Sequence, residues 1–400
     1  GPEDAPGSAG SRWPERLRAL LAIAALANIA LMAGAWWTVF GPGADPAGRL
    51  VDFAAFWGAG AMALDGRAAD AYDREALRAL QSAAYGIDYR AWMPYFHPPH
   101  FFLALWPLGA LTPMTAQAAF TLLGLGVFLA VAWRILPGGL TVLGVMATAP
   151  VFQNVVLGQL GLVTGAAMGL LGLALLEGRA QGLRRGAVAL ALLSLKPPVA
   201  LAAPVAALAA GRWRMLAAGS ALAAGLAALA ALAFGPGIWP AFVEMALAEA
   251  GTVRDMTGRW ELSGTPYGWL RGLGAGFGWA MAVQGALALA LLVAVVRIWH
   301  RRAGEPDALM VALVCHASML VSPRVLDYDL TITVVGVLFQ LRHARTAGMR
   351  RREPPAFALA LALGFVDMLS PLEVNVLAVA MLLGTVLLRL AEDGAARRAR

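Results

Sequence analysis

The sequence predicts an all-α, polytopic membrane protein, and three observations carry that expectation. Hydrophobic residues make up 60% of the 400-residue chain and charged residues only 14%, against roughly 25% charged in soluble domains. The mean hydropathy is +0.68, so lipid is the expected solvent for most of the surface. Apolar runs close to the length of one bilayer crossing, about 20 residues, recur from end to end and leave no room for a sizeable soluble domain. A membrane barrel would need alternating apolar and polar positions. The Leu/Ala-rich runs do not alternate, and backbone polar groups in hydrocarbon must be satisfied within helices.

The runs fall near residues 17–40, 98–112, 115–135, 140–157, 159–176, 187–209, 213–235, 279–299, 307–322, 326–341, 354–370 and 372–390, which gives about twelve candidate spans. The first reads as a retained transmembrane helix, because it is too long for a signal-peptide core and no small-residue cleavage site follows it. Gly1 and Pro2 read as the remnant of a cleaved purification tag. Residues 1–16 and 391–400 are expected as cytoplasmic tails around one membrane domain, 17–390. Frequent glycine and alanine, as in the stretch Gly161 to Gly169, permit close helix contact.

Arginine clusters orient the spans, since cytoplasmic loops carry an excess of Lys and Arg. Arg12, Arg16 and Arg18, then Arg342 to Arg352, then Arg397, Arg398 and Arg400 all belong on the cytoplasmic side, and Arg212, Arg214, Arg297, Arg301 and Arg302 agree. A simple twelve-span count breaks the rule once, by placing Arg179, Arg184 and Arg185 outside. Either the rule fails locally or a segment between residues 98 and 209 is broken or re-entrant. Lys196-Pro197-Pro198 is the obvious break point. Two long connections, 41–98 and 236–278, fall on the extracytoplasmic side. Both are rich in aromatics, with Trp57, Trp92, Tyr95 and Phe96 expected at the membrane interface. Loops of this length in so economical a chain are expected to work rather than merely to connect.

Several function classes drop out. The net charge is +7 and the pI about 10.3, but the arginines sit in short clusters between apolar runs, so nucleic-acid binding is not expected. Cys315 is the single cysteine and allows neither an intrachain disulfide nor a thiolate metal cluster. There is no Walker-type phosphate loop, dinucleotide fingerprint or paired-histidine metalloprotease motif. ATP-driven transport is therefore disfavoured.

The residues able to carry chemistry lie at the edges of the apolar runs. Asp52, in Val51-Asp52-Phe53, is flanked by apolar side chains that strip its hydration, which raises its pKa toward the range of a general base. The alternative is a helix N-cap, since an apolar-periodic stretch follows it. His97 and His100 bracket Pro98-Pro99 and could hold an anion or a hydroxyl, or be ordinary interfacial side chains. Two histidines with no third ligand nearby make a weak zinc site. Lys196 lies deep in an apolar run, where a cation is expensive; it reads as a phosphate contact or as a snorkelling side chain. His316, Arg324, Asp327, Tyr328 and Asp329 form the densest polar group outside the long loops. Arg324 can grip phosphate oxygens, and either aspartate can pair with it or cap the next helix. Gln159 and Asn154 read first as packing glue between helices.

Taken in order, Asp52 with Gly58, Gly60, Gly66 and Tyr72, then Tyr95 to Pro99 with Pro107, Gly158-Gln159, Leu195-Lys196-Pro197, and Ser322-Pro323 before Tyr328 resemble glycosyltransferase family 87. That family has the GT-C superfold, depends on polyprenyl-phosphate sugars, and includes mycobacterial mannosyltransferases that extend phosphatidylinositol mannosides. The resemblance runs from about residue 17 to residue 390. It implies a GT-C bundle and an inverting, multi-pass enzyme of the bacterial inner membrane with its site facing outward. Asp52 would be the general base, and Lys196, Arg324, His316, His97, His100, Tyr328 and Gln159 would bind substrate. The implied partners are a polyprenyl-phosphate-linked donor, mannose rather than arabinofuranose, a lipid or glycan acceptor, and membrane lipids, with the enzyme acting as a monomer. No cofactor is implied. The first loop lacks the Asp-x-Asp, Glu-x-Asp or Asp-x-Glu pair of many metal-dependent GT-C enzymes. Protein cations would then stabilise the leaving phosphate. The rival readings are a transporter or flippase for lipid-linked sugars, for which the internal repeat that such a fold favours is not evident, and a membrane scaffold.

Overall fold

The structure is a computed structural model that describes residues 15–45, 51–87, 92–255, 264–302, 304–370 and 374–398. Gly1, Pro2, Arg12 and Arg400 lie outside these residues. All regular elements among them are helical. In chain order they are α1 (Glu15–Phe40), α2 (Phe53–Leu64), α3 (Arg74–Tyr85), α4 (Phe102–Leu105), α5 (Pro113–Ile135), α6 (Gly139–Met146), α7 (Ala149–Leu157), α8 (Gly161–Leu176) and α9 (Arg179–Leu193). They continue as α10 (Ala202–Ala209), α11 (Trp213–Phe234), α12 (Ile238–Asp255), α13 (Pro266–Gly272), α14 (Phe277–Arg301), α15 (Ala308–Val321), α16 (Thr331–Ala347), α17 (Glu353–Leu369) and α18 (Asn375–Arg398).

By length and composition five of these, α1, α5, α11, α14 and α18, can cross a membrane, and α6 with α7, bent by 66°, makes a sixth if the pair is one span. The bend is closed from outside: the Asn28 amide on α1 donates to Met146 O at 2.8 Å, the carbonyl released where the helix breaks, and to Thr148 O at 3.1 Å, which also accepts Phe152 N. Helix α8 is surrounded. A Cβ on Gly165 would meet Phe128 and Thr331, one on Gly169 would meet Val131, and one on Gly172 would meet Val311 and Phe339, so its glycines admit α5, α15 and α16 at close range.

One apolar run and one long connection fold differently from expectation. Residues 98–112 do not form a spanning helix; they break into a 3-10 turn, the single turn α4 and a second 3-10 turn, because Pro98, Pro99 and Pro107 remove donors that a continuous helix needs. Phe101, Phe102 and Leu105 bury in a cluster with Phe53, Phe56, Met62 and Tyr95, separate from the main bundle core. There α2 and the 108–110 turn meet backbone to backbone. A Cβ on Gly60 would lie 2.3 Å from Leu105 O, and one on Gly109 2.4 Å from the Gly60 carbonyl carbon. The second long connection, 236–278, is also not an open loop, since α12 and α13 occupy much of it.

The run 187–209 turns back on itself. Helix α9 starts at Arg179, at the end of α8, and climbs to Ser194 and Leu195, which contact His100 and His97. The chain breaks at Lys196-Pro197-Pro198 and returns through α10 to Arg212, whose guanidinium donates to Leu175 O at 3.0 Å and to Glu177 O, at the end of α8. The clusters at Arg179 and at Arg212 therefore share one end of the bundle. Arg342 and Arg345 reach the same end, donating to Ile135 O at the end of α5 and to Pro137 O just past it; α5 runs alongside α8 in the same direction. An ion network closes this end: Arg389 on α18, 1% exposed, pairs with Glu353 and Asp393, and His343 lies 2.9 Å from Asp307.

Candidate active site

At the opposite end, three connections converge. The first is the start of α2, the second the α7–α8 turn, and the third the 194–198 turn, with the 322–330 segment closing over them. Gly158 ends α7 in the left-handed region, φ +70°, where a Cβ would lie 2.6 Å from that of Phe53. That contact sets Gln159 beside Asp52, and its Nε2 donates to Asp52 Oδ2 at 2.7 Å. Asp52 makes no side-chain cap to α2, and its own backbone is already helical. Burial raises its carboxyl above the usual range, while the Gln159 hydrogen bond and the nearby Lys196 pull it part of the way back. The capping alternative thus has no hydrogen bond behind it.

Lys196 Nζ donates to Asp329 Oδ1 at 2.5 Å and lies 4.5 Å from the centre of the Tyr328 ring. Asp329 is fully buried and its other oxygen accepts Leu326 N at 3.1 Å, so one carboxylate holds both the turn and the cation. Tyr328 is fixed from below, where Asn154 Nδ2 donates to its carbonyl at 2.7 Å. Asn154 is glue, as expected; Gln159 is instead bonded to the carboxylate. Arg324 does not pair with Asp327 or Asp329. Its Nη1 donates to Glu249 Oε1 of α12 at 2.5 Å, and its guanidinium sits 5.5 Å from the Phe96 ring centre. Asp327 takes hydrogen bonds from Asn375 at 2.8 Å and Gln153 at 3.4 Å.

The two first-loop histidines stand at the rim. His97 Nδ1 lies 3.2 Å from Leu195 O. Burial and the nearby Lys196 lower its pKa to about 3, against the opposing pull of that carbonyl, so the ring is neutral at physiological pH and Nδ1 donates. His100 Nε2 contacts Ser194 Oγ at 3.0 Å, and burial lowers its pKa as well. The ring stacks on Trp239. Aromatic rings carry this wall onward: Tyr72 donates to His97 O at 2.7 Å and packs against Phe242 of α12.

His316 is not part of this group. It lies in the middle of α15, with no exposed surface, and its Nε2 is 3.0 Å from Gln340 Oε1, which in turn leads to Thr385. Its place in the sequence near Ser322 suggested the site, but helical rise carries it about 9 Å from that end. Asp329 and Glu249 were not singled out as the partners of Lys196 and Arg324. A buried lysine demands a counter-charge, which points to an acid among the late helices. Sequence alone does not say which acid, at 133 residues' distance.

The family model of glycosyltransferase family 87 matches residues 95–323, more than half of the chain. The chain belongs to glycosyltransferase family 87. Membership implies glycosyl transfer, hence a sugar donor and an acceptor, and several apolar helices fit a multi-pass membrane protein. The matched residues include His97, His100, Gln159, Lys196 and His316; Asp52 precedes them, and Arg324 and Tyr328 follow. Comparison with curated proteins and with solved structures finds no match.

Proposed function

We propose that the protein is an inverting glycosyltransferase that moves mannose from a polyprenyl-phosphate donor to a lipid or glycan acceptor on the extracytoplasmic side of the bacterial inner membrane. The observation that carries the reading is the presence, at one end of the bundle, of a partly buried carboxylate held by Gln159 at 2.7 Å and a partly buried cation held by Asp329 at 2.5 Å. Asp52 accepts the proton of an acceptor hydroxyl, whose oxygen attacks the anomeric carbon from the face opposite the phosphate. The bond from that carbon to the phosphate oxygen breaks, and polyprenyl phosphate leaves with the electron pair. An ammonium has three donors, and Asp329 takes one from Lys196. The others meet the charge that gathers on the leaving phosphate, with Arg324 beside them. Mannose, rather than arabinofuranose, follows the family resemblance.

The sidedness rests on the fold of the 179–212 segment. Because the chain doubles back at Lys196, both arginine clusters that conflicted in a simple count lie together, away from Asp52. The rule counts short loops and discounts long ones. Most described arginines at the Asp52 end belong to the two long connections, where Arg67 and Arg78 pair with Asp70 and Glu75. The cytoplasm thus takes the clustered end, from which α1 runs toward Val155 and at which α18 ends beyond Arg389. A reporter fused at residue 400 and accessible only from the periplasm would overturn this.

The activity is tested with purified protein, radiolabelled polyprenyl-phosphate mannose and a membrane lipid extract. Label moving into a new lipid is the expected result. Absence of product with mannose, arabinofuranose and glucose donors alike would overturn the enzyme reading, and label crossing sealed vesicles without transfer would favour a flippase.

A further inference from the structure

Gln159 has the geometry of a group that serves the carboxylate rather than the sugar. An amide presents an oxygen on one side and two N–H donors on the other, and its neighbours decide which faces where. Here Oε1 accepts the backbone N–H of Leu160 at 3.3 Å, which leaves Nε2 to point at Asp52 Oδ2. The side chain is 8% exposed, and its backbone is pinned by a hydrogen bond from Gln159 N to Asn154 O at 3.3 Å. The left-handed Gly158 before it closes the turn against Phe53. The amide is held from two sides, and Asp52 receives a donor whose direction does not depend on substrate.

We propose that Gln159 is the positioning residue of the general base: it occupies Oδ2 of Asp52, so that Oδ1 is the oxygen that takes the acceptor's proton. The inference rests on the reading of Asp52 as base. A hydrogen bond to the charged form favours it, and the charged or titratable groups facing Asp52 are few. Lys196 approaches from the 194–198 turn and Tyr328 from the 327–330 turn, with Asp329 and Arg324 behind Lys196. Lys196 acts on Asp52 through space, whereas Gln159 alone bonds to it among these. The bonds to Asp52 and Leu160 use one N–H and one lone pair of the amide, so a sugar contact would come in addition to the bond with Asp52 and not in place of it.

The test is the pH dependence of kcat and kcat/KM for sugar transfer by the full-length protein in nanodiscs, with Gln159→Met, Gln159→Asn and Gln159→Glu beside the unsubstituted chain. Removing the donor should move the acid limb of the profile to higher pH by about one unit, roughly a tenfold loss of rate below the limb that recovers at alkaline pH. Glutamate should move it further, because a second carboxylate then faces Asp52. Asparagine keeps an amide in a pocket of similar polarity but falls short by one methylene, so it should follow methionine and serves where methionine perturbs folding. Donor KM should stay within about twofold in all three. Coincident acid limbs would overturn the proposal, as would a pH-independent loss with a raised KM, which is the signature of a substrate contact. Failure of the base reading looks different: Asp52→Asn would then retain transfer, whatever the Gln159 variants do.

Discussion

Two interrupted apolar runs in this protein break near proline, and the chain treats them in opposite ways. At 146–150 the released carbonyl is met by a neutral amide, Asn28, reaching in from α1. At 194–198 the break carries a cation instead, and Lys196 is met by Asp329 and the face of Tyr328. The first interruption bends a helix and ends there. The second reverses the chain and delivers charge to the vicinity of Asp52. A break sealed by neutral donors spends its polarity on backbone, whereas one sealed by an ion pair keeps donors for something else, and that difference separates architecture from chemistry here.

The largest effect expected on the functional side is that of Asp52→Asn, which cannot take a proton: turnover should fall by about 10² to 10⁴ with little change in donor affinity. The same variant carries a stability signature. A carboxyl whose folded pKa is raised above its unfolded value favours the folded state only at low pH, and that contribution is lost as pH rises through the folded value. Above the unfolded value the Asp52 carboxyl is therefore a net cost to the fold, and Asp52→Asn should melt at an equal or higher temperature in the same nanodiscs at neutral pH. Near-normal transfer by this variant would move suspicion to Asp327, which Asn375 and Gln153 hold at the same end of the bundle.

Next comes Lys196→Met, which should weaken donor binding by roughly 1.5–3 kcal/mol, about 10- to 150-fold, measured by titration with labelled donor. Unchanged affinity would make the second break as structural as the first. The converse substitution is Asn28→Leu, which leaves the part-buried Met146 O without its donor, while Thr148 O keeps the Phe152 N–H. It should cost about 1–3 kcal/mol of stability and leave donor affinity where it was. An equal loss of affinity would erase the distinction drawn between the two breaks.

The smallest effect concerns His97, whose pKa near 3 in the fold compares with about 6.5 when exposed. The unfolded chain binds the proton more readily between those values, so the stability from burying the neutral ring is complete above pH 6.5 and drains away as pH falls toward 3. His97→Gln should flatten that acid-side loss in a thermal melt, and should not shift any limb of the rate profile between pH 7 and 8.

Hydropathy located α1, α5, α8, α11, α14, α15 and α17 to within a few residues, because each is apolar for most of its length, and it stopped α18 at residue 390, short of its polar end at Arg398. It misplaced the start of α9, where Arg179, Arg184 and Arg185 lie on the helix itself and lower its apparent hydrophobicity. It also read 98–112 as a span, since the phenylalanines that bury against α2 have the same composition as ones that face lipid. Of the site, Asp52, Gln159, Lys196 and Tyr328 were named beforehand and lie together. Their partners were not legible, because the links Lys196 to Asp329 and Arg324 to Glu249 join segments far apart in sequence. His316 was grouped by sequence proximity, which along a helix axis is distance.

The glycine pair at 60 and 109 carries a consequence for how the sequence can change over generations. Each would press a new side chain into the other segment's main chain, and main chain cannot be exchanged for something smaller. No second-site replacement relieves the clash, because a Cβ on Gly60 meets Leu105 O first and one on Gly109 meets the main chain of Gly60 and Ala61. Drift is therefore blocked from both directions. A lineage that loses one glycine must rebuild the 99–111 segment as a unit, and homologues should divide cleanly into those that keep both and those whose segment differs in length.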